Sequence, residues 1–354
     1  RHTTIPKEAI EACEDLKIMA ESDEAGVFLC MAENGKKIFV MGHKNPDADC
    51  VGAALGIYRL SKALNKSTYI VMDKDCPAIE PIVDGIYRER VDEEEDIFVT
   101  NEEAMLLKDK SAMLIVVDVN VPAMTECPEL LKSISTIVVL DHHRQSNETI
   151  KNAVVSYVEP YASSTCEMVA EILQYIVDKP KLKNIEADAM YSGILVDTDN
   201  FVIKAGVRTF EAAAYLRRAG ADVTRVRKMF REDMEHCRIR TAIINKAEIY
   251  MDEFAISTFD GENVSGATVV GAKAANALLN IQGIRGSFVL TALQDCIYVS
   301  ARSIDELNVQ VIMEKFGGGG HLTMAAAQLK DVSLSDAAEM LKHTLRKMHE
   351  DGDI

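Results

Sequence analysis

The sequence predicts an α/β protein in two units: a mainly parallel sheet flanked by helices, joined by a helical linker to a smaller α/β unit. Three observations lead there. At 354 residues the chain is too long for one ordinary core. Its first two thirds alternate short Val- and Ile-rich runs with helical stretches, the pattern of strands buried on both faces. A long charged helical stretch follows, and a second α/β pattern begins after it.

Element by element, Ile5 to Ala20 has helix-like spacing and reads as part of a connector over residues 1–36. Lys37 to Met41 is a short buried strand between Asn34-Gly35 and Gly42. Val51 to Leu64 is helical, Tyr69 to Met72, Met113 to Val117 and Thr136 to Leu140 are strands, and Ser164 to Val177 is a helix. These make a first unit over 37–222. The linker, 223–250, is a charged helical stretch from Thr224 towards Lys246. In the second unit, 251–354, the strands are Phe254 to Phe259, Ser287 to Ala292 and Ile297 to Ala301. Its helices are Ala272 to Leu279, Val309 to Phe316 and a last one from Ser335.

Composition narrows the function. A net charge of −17 argues against long nucleic acid, whose binders present a basic face, and leaves a small nucleotide open. The acidic run Asp92 to Asp96 reads as a solvated loop. Eight cysteines are scattered with no close pair, which suits buried thiols in a reducing, cytoplasmic compartment. No apolar run is long enough to span a bilayer and no signal peptide is visible, so no membrane contact is expected of this stretch. The first residue is Arg1 rather than Met, which leads us to expect a longer parent.

The chemistry gathers at strand ends, where parallel sheets keep their working residues. His43-Lys44-Asn45-Pro46-Asp47-Ala48-Asp49 follows the first strand, Asp118 closes Met113 to Val117, and Asp141-His142-His143 closes Thr136 to Leu140. Asp197 and Asp199 end a fourth apolar run, Gly193 to Val196, read in the same way. One strand-end Asp is commonly a helix cap. Four such clusters are hard to explain as caps, because an isolated buried charge must be paired or bound to a metal. Asp47, Asp49, Asp118 and Asp197 offer four negative charges and His43 and His142 two neutral nitrogens, which balances two divalent cations. Two cations about 3.5–4 Å apart polarise a phosphate and activate water near neutral pH. A donor set rich in oxygen, with imidazole and no thiolate, favours Mn²⁺ over a structural zinc, with Fe²⁺, Co²⁺ or Mg²⁺ as alternatives; Cys50 is left outside it. In the second unit, Gly317-Gly318-Gly319-Gly320-His321 offers backbone N–H groups for close approach to a phosphate or base.

This ordered set resembles the DHH/DHHA1 phosphoesterase superfamily over roughly residues 37 to 345. The match consists of His-x-x-x-Asp-x-Asp at 43–49, Asp118, Asp-His-His at 141–143, Asp197 and Gly-Gly-Gly-His at 318–321. Met41 to Asp47, Asn308 to Lys315 and Gly319 to Ala325 look most like the catalytic part of GdpP-type cyclic-di-AMP phosphodiesterases. Ala48-Asp49-Cys50-Val51 departs from that pattern and keeps every ligand.

The resemblance implies a metal-dependent phosphodiesterase that hydrolyses cyclic di-AMP to 5′-pApA. One cation would take His43, Asp47 and Asp118, and the other Asp49, Asp118, His142 and Asp197. His143 and His321 would face the phosphate, while Ser300, Arg302 and Gly318, Gly319 and Gly320 would hold the nucleotide. It also implies a homodimer and a parent protein anchored to the inner face of the cell membrane. The alternative within the superfamily is a nano-RNase or 3′-phosphoadenosine 5′-phosphate phosphatase acting on short linear nucleotides. A nucleotide sensor without activity would be expected to have lost a ligand, and an inorganic pyrophosphatase to carry a basic C-terminal site.

Overall fold

The structure is a computed structural model that describes residues 26–27, 30–31, 37–89, 96–145, 148–175, 180–304, 307–320 and 322–354. The connector helix expected at Ile5 to Ala20, most of the acidic run Asp92 to Asp96, and His321 lie outside the described residues. The chain divides into two compact units, Arg1–Arg231 and Glu232–Ile354.

In the first unit the strands are β1 (Lys37–Met41), β2 (Ser67–Val71), β3 (Phe98–Val99), β4 (Ala112–Val117), β5 (Thr136–Asp141) and β6 (Val155–Val158). They form one sheet in the order β3-β2-β1-β4-β5-β6, and every pairing is parallel. Residues of β4 are buried without exception, as a sheet covered on both faces requires. One face carries Ile38, Val40, Met113, Ile115 and Leu140, packed under α1 (Ala48–Ala63), α5 (Thr165–Tyr175) and α6 (Asn184–Asp197). The opposite face carries Phe39, Met41, Leu114, Val116 and Val139, packed under α3 (Asn101–Leu107) and α4 (Pro128–Ser133). The order runs outward in both directions from β1 and β4, so the two connections diverge there and open a crevice at the strand C-termini. Further helices of this unit are α2 (Glu80–Glu89), α7 (Val207–Ala219) and α8 (Val223–Met229).

Two expectations change here. The run Gly193 to Val196 is not a strand; it is the last turn of α6, which ends at Asp197. The apolar, β-branched stretch resembles a buried strand because α6 is buried on nearly all sides, leaving no amphipathic period to read. The charged stretch from Thr224 is two helices, α8 and α9 (Met234–Asn245), each starting at an Asp N-cap, Asp222 and Asp233.

The second unit has β7 (Glu248–Tyr250), β8 (Phe254–Asp260), β9 (Gly286–Leu293), β10 (Cys296–Ser303), β11 (Gly319–Gly320) and β12 (Met324–Lys330). These pair in the order β11-β12-β10-β9-β8-β7, antiparallel except for β8 with β9. Helix α10 (Ala267–Leu278) shares a core with Val289. The alternate residues Phe288, Leu290 and Val299 share another with α11 (Val309–Glu314) and α12 (Leu334–Asp351). Seven described cysteines are free; Cys30, Cys50, Cys127 and Cys166 are buried, while Cys76, Cys237 and Cys296 are half-buried, more open than the buried thiols expected. Among the described residues no helix is long and apolar enough to cross a membrane.

Candidate metal centre

The crevice between β1 and β4 is where the expected residues meet. His43 follows β1 after Gly42 and is fixed by a neighbouring loop: Lys44 N–H donates to Met124 O at 3.0 Å and Glu126 N–H to Gly42 O at 2.9 Å. Asp47 caps α1, one carboxylate oxygen accepting from the N–H groups of Asp49 and Cys50 at 3.0 Å each. It is therefore a helix cap and also a neighbour of His43, whose Nε2 lies 3.8 Å from the same oxygen.

Asp49, in the first turn of α1, is fully buried and aims at the start of α5. Its two oxygens accept the N–H groups of Thr165 at 2.7 Å and Cys166 at 2.8 Å. A helix N-terminus favours an anion, so this carboxylate is held in place. Asp118 follows β4 with φ 61°, the left-handed region that non-glycine residues rarely adopt. Its N–H donates to Leu140 O at 2.9 Å, which holds that turn.

The two oxygens of Asp118 face opposite sides of the crevice. Oδ2 lies 3.4 Å from His43 Nε2, and Oδ1 lies 3.5 Å from His142 Nε2 and 3.6 Å from His143 Nδ1. His142 Nε2 is also 3.2 Å from Asp197 and 4.0 Å from Asp49. Asp197 reaches this point because α6 lies almost on α1. A Cβ on Gly193 would stand 2.7 Å from Asp49 Cα, so only glycine permits that approach. Asp199, singled out with Asp197, is exposed with φ 43° and belongs to the turn after α6.

Electrostatics mark the cluster as short of positive charge. Burial opposes protonation of His43 and His142, yet the carboxylates around each outweigh it and raise both imidazoles to about 10. Burial, then Asp49, pushes the Asp118 carboxyl well above the usual range. The same pair of causes lifts Asp197 to about 6. Neither ring nitrogen of the buried His142 makes a well-aligned hydrogen bond among the described residues, although Nε2 has its ion-pair contact to Asp197. An imidazole so placed is costly unless something binds it. A divalent cation meets both needs, and donor atoms of Asp49, His142 and Asp197, and of Asp118, His142 and His143, lie within 4.8 Å of one another.

Cys50 also comes close. Its Sγ groups with donor atoms of His43 and Asp118 within the same 4.8 Å, although burial pushes its thiol well up. Left outside the donor set on the sequence, Cys50 thus has its sulfur at the edge of the cluster, against Gly42.

His143 is set apart by a relay. Asp141, fully buried, accepts from His143 Nδ1 at 2.8 Å and from the His143 N–H at 3.2 Å. Asn120 holds Asp141 in turn through Nδ2, which also lies 3.3 Å from His143 O. Sequence reasoning missed Asn120 and Thr165. The signals were present in Asp118-Val119-Asn120 and in the polar run Ser163-Ser164-Thr165 that opens α5.

In the second unit, Ser300 and Gly318 line a cavity of about 360 Å³ with Thr268, Tyr298 and Gln328. Tyr298 pairs across the strands with Gln328, and Ser300 with Ala326, so all four side chains share one sheet face. Arg302 continues that row on β10, half-buried, with a guanidinium nitrogen donating to Ala301 O at 2.9 Å. The glycine run is less open than its composition implied. Gly317 and Gly318 spend their N–H groups on Glu314 O and Met313 O, ending α11, and Gly319 and Gly320 pair with β12.

Models of the DHH family N-terminal domain and the DHHA1 domain match residues 37–194 and 255–350. The chain belongs to the DHH/DHHA1 family. A homoserine O-succinyltransferase model also matches 1–53, a range in which β1 belongs to the parallel sheet of the first unit and α1 begins. This DHH/DHHA1 chain is 42% identical over 308 residues to the cyclic-di-AMP phosphodiesterase PdeA of Listeria monocytogenes serotype 1/2a, covering 86% of this chain and 46% of that protein. It is 39% identical over 319 residues to the cyclic-di-AMP phosphodiesterase GdpP of Bacillus subtilis, covering 89% of this chain and 48% of that protein. The chain thus spans about half the length of the curated relatives it matches. An exopolyphosphatase-related protein from Bacteroides fragilis shares the fold, with TM-score 0.74, 18% identity and coverage of 92% of this chain and 96% of that one. RecJ of Thermus thermophilus, solved with Mn²⁺, shares it at TM-score 0.53 and 13% identity over 98% of this chain and 56% of that one.

Proposed function

We propose that the chain is a metal-dependent phosphodiesterase that hydrolyses cyclic di-AMP to 5′-pApA with two divalent cations, Mn²⁺ being the best fit to its donors. One observation carries the two-cation reading: the two oxygens of Asp118 face different imidazoles, His43 at 3.4 Å and His142 at 3.5 Å. A carboxylate so placed can bridge two ions. His43 and Asp47 would complete one side and Asp49, His142 and Asp197 the other.

Bound cations would supply Lewis-acid polarisation of the phosphate and activation of the attacking water. The protein's own part is positional. Asp49 is immobilised by two backbone N–H groups, and His142 presents a buried Nε2 3.2 Å from Asp197 and 3.5 Å from Asp118. His143, held through Nδ1 by Asp141, would turn Nε2 towards the phosphate and stabilise the charge that develops there. Ser300, Arg302 and the Gly318 to Gly320 segment would hold the nucleotide. Gly318 would do so by close backbone approach, since its N–H is already bonded. His321 is kept in this role on resemblance alone.

The choice of cyclic di-AMP rests on the relatives at 39–42% identity. Relatives named bifunctional oligoribonuclease and PAP phosphatase are 26% and 24% identical. The test is product analysis with Mn²⁺ on cyclic di-AMP, cyclic di-GMP, pApA and 3′-phosphoadenosine 5′-phosphate. Accumulation of pApA from the cyclic substrate is expected. Degradation of pApA much faster than cyclic di-AMP would overturn the assignment in favour of a nano-RNase. A homodimer and a membrane-anchored parent, with this part in the cytoplasm, belong to the same proposal on resemblance alone; sedimentation of the chain tests the first.

A further inference from the structure

Thr165 is the first residue of α5, fully buried, and it touches two of the four carboxylates at once. Its N–H donates to Asp49 Oδ2 at 2.7 Å and its Oγ1 lies 3.1 Å from Asp118 Oδ1. No strand-end motif includes it, and it reaches the crevice from the N-terminus of a different helix. Around it the structure is braced. Glu167, two residues on and buried, accepts from Ser163 Oγ at 2.5 Å and from Thr209 Oγ1 of α7 at 2.6 Å. The start of α5 is thus fixed from behind, and Thr165 cannot shift without disturbing that lock.

We propose that Thr165 is a positioning residue that orients Asp118, and through it the shared edge of the metal centre, by donating its hydroxyl to Oδ1. This rests on the two-cation reading above. Asp118 sits in a left-handed backbone conformation at φ 61°. The hydroxyl gives Oδ1 a donor beside its two imidazole contacts, so that Oδ2 is turned towards His43. Groups that orient a ligand in this way typically change metal affinity about 10- to 100-fold when removed.

The probe is Thr165→Val, which keeps the shape and the N–H to Asp49 and removes only the donor. Thr165→Ser keeps the donor and serves as the rescue. Mn²⁺ binding to the full chain is read by equilibrium dialysis, and melting with chelator present is read separately. The expected result is binding about 10- to 100-fold weaker in the Val variant, near wild-type binding in the Ser variant, and cation-free melting within a few degrees of wild type for both. Wild-type Mn²⁺ affinity in the Val variant would overturn the inference, as would equal loss in Val and Ser. Should Thr165→Val fail to fold, retention of wild-type affinity in Thr165→Ala would overturn it, and loss of affinity in Ala beside retention in Ser would support it. Failure of the wild-type chain to bind any Mn²⁺ would sink the two-cation reading itself, a result distinct from either.

Discussion

Replacing Asp197 by Asn should make the cation-free protein more stable at neutral pH while disabling the centre. In the folded chain the Asp197 carboxyl is raised from 3.8 to about 6, by burial first and Asp49 second. Each pKa unit is worth about 1.4 kcal/mol, so ionised Asp197 costs the folded, cation-free state on the order of 3 kcal/mol. The sign follows from linkage. Below pH 4 the group is protonated folded and unfolded, and there is no cost. The cost grows as pH rises from 4 to 6 and is complete above that. Asn removes it at every pH. In chelator at pH 7.5, Asp197→Asn should therefore melt several degrees above wild type, and the two curves should converge near pH 4. In Mn²⁺ the order should reverse, because wild type gains a ligand bond that the variant lacks. Hydrolysis should fall at least about 100-fold, on the scale of lost metal-site groups. Thermal melts across pH with and without Mn²⁺ read all of this. An Asn variant less stable than wild type in chelator at pH 7.5 would refute the reasoning.

Asp118→Ala removes the shared edge and should lower Mn²⁺-dependent turnover of cyclic di-AMP at least about 1000-fold, because metal catalysis acts through that centre; near-normal turnover sinks the bridging role. Mn²⁺ binding at pH 7.5 should release protons, since His43 and His142 are raised to about 10 in its absence. Titration calorimetry in buffers of different ionisation heat should show a heat that scales with the buffer, and a buffer-independent heat would contradict it. Gly193→Ala places a methyl 2.7 Å from Asp49 Cα and 2.9 Å from its Oδ1. Overpacking of that kind costs about 1–3 kcal/mol, and Mn²⁺ affinity should drop with it; unchanged melting and affinity would show that α1 and α6 can separate freely.

The first unit was legible where its strands are short, apolar and followed by polar clusters. β1, β4 and β5 begin and end within a residue of the expected positions, because each run is bounded by a turn residue or a charge. Asp197 shows the limit. The structure places it 3.2 Å from His142, but on a helix and not at a strand end, since that helix is buried on nearly all sides and gives little sign of a 3.6 period. Thr165 and Asn120 were not legible as site residues, because their roles come from contacts across 47 and 21 positions, which spacing along one strand cannot reveal. The glycine run misled for a related reason. Composition announces backbone freedom, but only the structure shows two of its N–H groups already used to end α11.

The double use of Asp47 bears on how such a centre arises. The same oxygen that caps α1 with two N–H groups stands 3.8 Å from His43 Nε2, so capping and ligation are not rival accounts of a strand-end aspartate. A capped carboxylate is held in place, and preorganised ligands bind a cation without first losing side-chain freedom. Asp49 follows the same rule at the start of α5, and its hold there is a long-range one that brings α5 to the crevice. The backbone therefore supplies part of the positive charge that two of the carboxylates need. Asp118 and Asp197 both have raised pKa values, and their close contacts among the described residues are imidazoles and a hydroxyl. The unmet demand for positive charge thus falls on the edge between His43 and His142, which is where the two-cation reading puts its ions.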